Sequence, residues 1–354
     1  MKTDILTIHP DFPEKEKIAH CAKIIRQGGL VIFPTETVYG IAADAGNPKA
    51  MDRLRRIKKR HPDKPFSLLV SQKEGLLRFS PCRSPKVFKL IDRYWPGPLT
   101  VILPGQEDGQ TVGVRMPNHP VALCLVSACE CNLAAPSANL EGRPAPRTCE
   151  EALKDMDGLV DVALDAGPAT IGTASSIVDF TREEPCIIRE GTLTQDQVDE
   201  TVRKRIVLIV CTGNSCRSVM AEYLLRDKLK GRQDIEVVSA GISVFITAPA
   251  SDGALRILKQ RGIDARRHRS QPVTRILVAK ADMILTMTQR HYQAILQFAP
   301  EAGPRMYLLK KFLDKAVDLS ENPDIADPMG QPDQQYEACA QVIDRALDKV
   351  VETL

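Results

Sequence analysis

The rhythm of apolar positions along this chain changes near residue 205. Beyond it, short apolar runs alternate strictly with helical periods. The pattern predicts strands at 206–210, 235–239, 283–287 and 306–308, and helices at 218–229, 252–261 (closed by Gly262), 289–298 and from about 333 onward. Strict alternation implies right-handed crossovers, hence a four-stranded parallel sheet with helices on both faces. Before residue 192 the pattern is less regular. Helices are predicted at 14–27, 48–59, 84–93, 120–128 and 148–156, and strands at 30–33, 67–70, 100–103, 111–115, 133–135, 162–165 and 175–179. This too is α/β, with more strands than helices. The polar stretch from Thr192 to Arg205 shows no core pattern beyond a short helix, and it separates a first domain, 1–198, from a second, 205–354.

Composition narrows the functional classes. At 354 residues, 43% hydrophobic and 26% charged, the chain reads as two ordinary globular units. Its apolar runs are strand-sized, so no membrane span is expected, and an N-terminus rich in acids and prolines implies a cytoplasmic protein. The ten cysteines are irregularly spaced, with no C-x-x-C pair and no Cys/His zinc pattern. Reduced thiols are expected, and Cys124, Cys129 and Cys131 read as small core residues. Net charge is only +3, with 25 basic and 27 acidic residues up to position 200. A nucleic-acid binder by bulk charge is therefore excluded. Cations gather locally, with Arg53, Arg55, Arg56, Lys58, Lys59, Arg60 and Lys64 in one short segment. That cluster suits phosphate groups or a solvated helix face.

The apolar run 206–210 stops at Cys211-Thr212-Gly213-Asn214-Ser215-Cys216-Arg217-Ser218. A loop between a buried strand and a helix N-terminus is where anions bind. Backbone amides of 212–217, the helix dipole and Arg217 favour the Cys211 thiolate and can grip a phosphoryl group. Ser218 can donate to the thiolate, and Gly213 and Asn214 fit a tight turn needing left-handed dihedrals. A phosphocysteine needs a proton donor for its leaving group, and Asp327 in A-D-P-M-G is the candidate, with Asp324 the alternative. These motifs, with A-E-Y-L-L-R, S-A-G at 239–241 and G-I-D at 262–264, resemble the low-molecular-weight protein-tyrosine phosphatase family over 205–354. The resemblance implies Cys211 as nucleophile, Arg217 as phosphate binder and Asp327 as general acid, with no cofactor. Protein-arginine phosphatases of the same family are similar in carrying a small hydroxyl residue, here Ser215, inside the loop, so phosphoarginine stands beside phosphotyrosine as substrate. Cys216 is placed either to pack or to form a reversible disulfide with Cys211.

The first half holds neither a G-x-x-x-x-G-K-[ST] loop nor a G-x-G-x-x-G fingerprint. Instead, cations and hydroxyls arrive on separate loops: Thr35 and Thr37 in P-T-E-T-V-Y-G, Lys58, Arg60 and Lys64, Arg115 in V-R-M-P, Ser137 and Asn139 in A-P-S-A-N, Ser175 and Ser176 before I-V-D, and Arg189 in R-E-G. Such a set suits a small polar substrate beside a polyphosphate. In this order, with W-P-G-P-L-T, the motifs resemble the YrdC-like threonylcarbamoyl-AMP synthases over about 9–195. The resemblance implies a twisted mixed-sheet α/β domain that condenses L-threonine, bicarbonate and ATP, with Mg²⁺, into threonylcarbamoyl-AMP and pyrophosphate. Downstream, threonylcarbamoyl transferase machinery would modify tRNA. It also implies that Thr37, Arg115 and Ser175 face threonine, while Lys58, Arg60, Lys64, Thr111, Ser137, Asn139 and Arg189 line ATP. Leu69 departs from the pattern, standing where many members have histidine. The competing readings are an RNA-binding module for the first domain and a phosphoprotein-binding pseudophosphatase for the second.

Overall fold

The computed structural model describes residues 2–60, 65–313 and 322–354. It divides into two units, Met1–Cys82 with Lys89–Thr201, and Arg83–Phe88 with Val202–Leu354. In chain order the first part runs β1 (Asp4–Thr7), α1 (Lys15–Arg26), β2 (Val31–Phe33), β3 (Gly40–Asp44), α2 (Pro48–Lys58), β4 (Leu68–Leu69), α3 (Pro85–Tyr94), β5 (Leu99–Pro104), β6 (Thr111–Arg115), α4 (Pro120–Cys129), β7 (Leu133–Ala134), α5 (Cys149–Met156), β8 (Val162–Asp165), β9 (Ser176–Asp179), β10 (Cys186–Arg189) and α6 (Gln195–Arg203). The second runs β11 (Arg205–Cys211), α7 (Arg217–Lys228), β12 (Ile235–Gly241), α8 (Asp252–Gln260), α9 (Arg275–Lys280), β13 (Met283–Thr286), α10 (Gln289–Phe298), β14 (Met306–Leu308) and α11 (Asp333–Thr353).

The first unit is a ten-stranded mixed sheet in the order β1-β8-β2-β3-β7-β4-β6-β5-β9-β10. Its inner strands β2 and β3 are buried on both faces, while the edge strands β1 and β10 are partly exposed. Along β2, Val31 and Phe33 pack with α1 and α4, while Ile32 packs with α2 and α5 on the other side. An apolar run with no polar face is what such a strand requires. The hydrophobic pattern missed β1 and β3, each too short or too mixed in composition to stand out.

The second unit is a four-stranded parallel sheet, β12-β11-β13-β14, as the alternation predicts. Val207, Ile209 and Cys211 point toward α7, α8 and α11, and Ile206, Leu208 and Val210 toward α9 and α10. The six-residue α9 lies in a stretch to which the hydrophobic pattern assigns no element. Because β12 and β13 flank β11 on opposite sides, the strand order reverses at β11. The crevice beyond the carboxyl ends of strands at such a reversal is the usual ligand position in open α/β sheets, and Cys211 is the last residue of β11. No helix among the described residues is long and apolar enough to cross a membrane. All ten cysteines are free thiols. Cys129 is buried, its thiol pushed up to about 12 by burial, but Cys131 is half-buried and Cys124 exposed, so Cys124 is not the core residue expected.

Candidate active sites

In the second unit the helix α7 begins at Arg217, so its unpaired amides open onto the loop 211–216. The Asn214 amide donates to Cys211 Sγ at 3.3 Å, and the Ser218 hydroxyl lies 3.0 Å from the same sulfur. Both contacts bring polar hydrogen-bonding groups onto the nucleophilic sulfur. Asn214 carries the left-handed backbone of the turn (φ +52°), while Gly213 does not, so the expectation for Gly213 is corrected. Asparagine suits that position because its side chain can bond locally, and here the bonds are buried. Asn214 Nδ2 donates to Ser218 Oγ (3.0 Å) and Ser239 Oγ (2.7 Å), and Oδ1 accepts the Gln271 amide (2.9 Å). His268 Nε2 meets the Asn214 carbonyl at 2.9 Å, and Ser239 donates in turn to the buried Glu222. Sequence reasoning quoted the motifs holding Ser239 and Glu222 without seeing that they brace the loop. The Ser215 carbonyl accepts the Ser251 amide, and Cys216 Sγ sits 3.0 Å from Ser251 Oγ.

Arg217 is buried and spans the loop and the acid segment. Its Nη2 donates to Asp327 Oδ2 at 2.5 Å and approaches Thr212 Oγ1 at 3.4 Å, while Nη1 donates to the Ile325 carbonyl. Its Nε is buried and has no partner among the described residues. A buried donor left unpaired costs about 1–3 kcal/mol, which an arriving phosphoryl oxygen would recover. Asp327 is half-exposed and thus open to a substrate, whereas Asp324 accepts the Gln289 amide at the start of α10 (2.7 Å).

In the first unit, a cavity of about 250 Å³ is lined by Thr35, Lys58, Arg60, Leu69, Arg115, Ser137, Asn139, Ser175 and Arg189. The sheet brings these together: Leu69 and Thr100 pair with Arg115 on either side of it, and Gly40 bridges to Ser137. Lys58, at the end of α2, donates to the Ser137 carbonyl (2.8 Å), to the Asn139 carbonyl and to Asn139 Oδ1 (3.1 Å). Burial pulls its ammonium down to about 8, with Arg60 nearby adding to the shift. Arg60 lies over the Phe66 ring, 4.9 Å from its centre. Arg189 donates to the Ser175 carbonyl and hydroxyl (2.8 and 3.0 Å), and Ser175 Oγ meets Thr100 Oγ1 at 2.9 Å.

Three expectations need correcting. Thr111 is exposed at the far end of β6, four residues along the strand from Arg115, and does not line the cavity. Thr37 stands behind Arg115 rather than on the wall, accepting from its Nη2 at 2.8 Å. Ser176 turns away and accepts the Leu193 amide. Lys64 lies outside the described residues. Sequence reasoning also missed Glu36, which forms a buried ion pair with Arg115 (2.8 Å) and whose Oε2 has no partner among the described residues. Its place inside P-T-E-T was the available signal.

A thiol cradled at a helix N-terminus with an arginine and an aspartate, and a separate cationic cavity on a mixed sheet, define a two-centre α/β chain. A family model for Sua5, YciO and YrdC, described as telomere recombination, matches residues 23–191, and one for low molecular weight phosphotyrosine protein phosphatase matches 206–354. The threonylcarbamoyl-AMP synthase of Bacillus subtilis is 35% identical over 195 residues, covering 52% of this chain and 56% of that protein. A putative threonylcarbamoyl-AMP synthase of Mycobacterium leprae is 37% identical over 198 residues, covering 52% and 87%. The crystal structure of Pyrococcus abyssi Sua5 complexed with L-threonine shares the fold, with a TM-score of 0.54 and 24% identity over 86% of this chain and 99% of that one. The chain therefore belongs to the threonylcarbamoyl-AMP synthase family over its first half and carries a low-molecular-weight phosphotyrosine protein phosphatase domain over its second. It spans a little over half the length of the Bacillus, Pyrococcus and fission-yeast synthases it matches.

Proposed function

We propose that this is a cytoplasmic bifunctional enzyme. Residues 1–198 form threonylcarbamoyl-AMP and pyrophosphate from L-threonine, bicarbonate and ATP, and residues 205–354 hydrolyse a phosphorylated protein side chain through a phosphocysteine. The observation that carries the first reading is the convergence of Lys58, Arg60, Arg115 and Arg189 with Ser137, Asn139 and Ser175 on one cavity. Arg115 and Ser175 take the amino acid, and Lys58, Arg60, Ser137, Asn139 and Arg189 take the nucleotide. Positive charge held in a buried site stabilises both the pentavalent phosphorus and departing pyrophosphate. Mg²⁺ suits this chemistry, and it fits as a companion of the ATP oxygens, since no acidic cluster among the described residues is arranged to cage a metal. The product is handed to a threonylcarbamoyl transferase acting on tRNA. Pyrophosphate release that needs ATP, threonine and bicarbonate together supports the reading, and release without threonine overturns it.

Lys58 gives this reaction a pH signature. The neutral amine holds no phosphate, so with the free-enzyme pKa near 8, kcat/KM for ATP at saturating threonine falls about tenfold per pH unit above that value. Lys58→Arg moves the decline beyond the measurable range.

The second reading is carried by the unpaired Nε of Arg217, at the end of the loop that begins with Cys211. Cys211 attacks phosphorus, and Arg217 leaves Asp327 to bind the phosphoryl oxygens; the freed carboxylate takes up a proton and passes it to the leaving group as its bond to phosphorus breaks, and water, giving a proton back to Asp327, then cleaves the phosphocysteine. Asp327→Asn lowers kcat by about 10²–10³-fold on a phosphopeptide and by far less on p-nitrophenyl phosphate, whose leaving group needs no proton. Phosphotyrosine is the substrate of the family as matched. Phosphoarginine is the second reading, favoured by the small hydroxyl of Ser215 in the loop. Parallel assays with both phosphopeptides decide between them.

A further inference from the structure

His291, on α10, is fully buried against the phosphate loop, and the proposed reaction does not use it. Its Nε2 lies 2.9 Å from Thr212 Oγ1 and its Nδ1 2.9 Å from Thr288 Oγ1. Each of these two bonds can run either way, and the partners favour one direction. The Arg217 guanidinium only donates, so the Thr212 oxygen that faces its Nη2 at 3.4 Å accepts there, and the Thr212 proton is free to point at Nε2. Thr288 Oγ1 already accepts the His291 backbone amide at 3.3 Å, as the N-cap of α10. A neutral ring that accepts at Nε2 carries its proton on Nδ1, and Nδ1–H then donates to Thr288. Burial and the neighbouring Arg217 push the imidazole down to about 4, so the ring is neutral at any working pH. An imidazolium would present a proton to Thr212 and reverse the chain.

We propose that His291 is a positioning residue: protonated on Nδ1, it turns the Thr212 hydroxyl so that its lone pair faces Arg217, and so holds the guanidinium in place when phosphate displaces Asp327. This rests on the reading of Arg217 as the phosphate binder. A ring that merely filled space would do the same with carbon in place of nitrogen, and that difference is measurable.

The experiment is inhibition of the full-length protein's phosphatase activity by inorganic phosphate, in the wild type and in Thr212→Val, His291→Phe, His291→Gln and the Thr212→Val/His291→Phe double variant. Loss of one hydrogen bond to a charged group raises Ki by about tenfold in each of Thr212→Val and His291→Phe. The double variant rises no further than either single, because both break the same chain. His291→Gln, whose side-chain oxygen can accept from Thr212, stays within about threefold of wild type. Should His291→Phe fail to fold, the Thr212→Val and His291→Gln pair still decides. A Ki unchanged in Thr212→Val or in a folded His291→Phe, or multiplied in the double variant, overturns the proposal. A wild type that turns over no phosphopeptide and binds no phosphate sinks the phosphatase reading instead.

Discussion

Cys211→Ser abolishes phosphopeptide hydrolysis, lowering turnover by about 10⁴-fold or more, and leaves pyrophosphate release from ATP unchanged. The size of the loss follows from the chemistry: a serine hydroxyl at this position has no adjacent base, and a loop built to favour a thiolate cannot ionise an alcohol. The Asn214 amide and the Ser218 hydroxyl, at 3.3 and 3.0 Å from Sγ, are spaced for a sulfur anion. Phosphate binding itself survives the substitution, because Arg217 and the amides at the start of α7 remain. A Cys211→Ser protein that binds phosphopeptide without consuming it is therefore expected in a pull-down, and steady-state phosphate release measures the loss.

Lys58→Met has the reciprocal effect. It removes a buried cation that reaches both the Ser137 carbonyl and Asn139 across the cavity, and so takes away charge at the phosphates and the tie that holds the A-P-S-A-N loop. Threonine-dependent pyrophosphate release falls by about 10²–10³-fold, the scale of losing one preorganised electrostatic contact in a buried site. Phosphopeptide hydrolysis is untouched. Methionine nearly preserves the length and volume of the stem, so the loss reports charge rather than packing.

Much of this was legible in the chain, and for identifiable reasons. The parallel sheet was readable because β11 to β14 are apolar runs separated by helices of clear period, and a parallel strand buried on both faces cannot look otherwise. The phosphate loop was readable because its chemistry is contiguous: nucleophile, turn residue and arginine lie within seven positions. The first unit's site is the opposite case. Its cations sit on β6, α2 and β10, and only the sheet order brings Arg115 between Leu69 and Thr100 and sets Arg189 beside Ser175. Thr111 shows how such a reading fails, since the strand carrying Arg115 into the cavity carries Thr111 out of it. Braces were invisible for the same reason. Glu36 behind Arg115, His268 under Asn214 and His291 beside Thr212 act through partners 79, 54 and 79 residues away in sequence, and no local pattern encodes such a distance.

Two separate active centres on one chain are told apart by supplying Cys211→Ser protein with ATP, L-threonine and ¹³C-labelled bicarbonate and analysing the product by mass spectrometry. The expected product is threonylcarbamoyl-AMP carrying one ¹³C, formed at the wild-type rate and only when all three substrates are present. A folded protein that forms no labelled adenylate, while its wild-type form hydrolyses phosphopeptide, has no synthase centre in its first half.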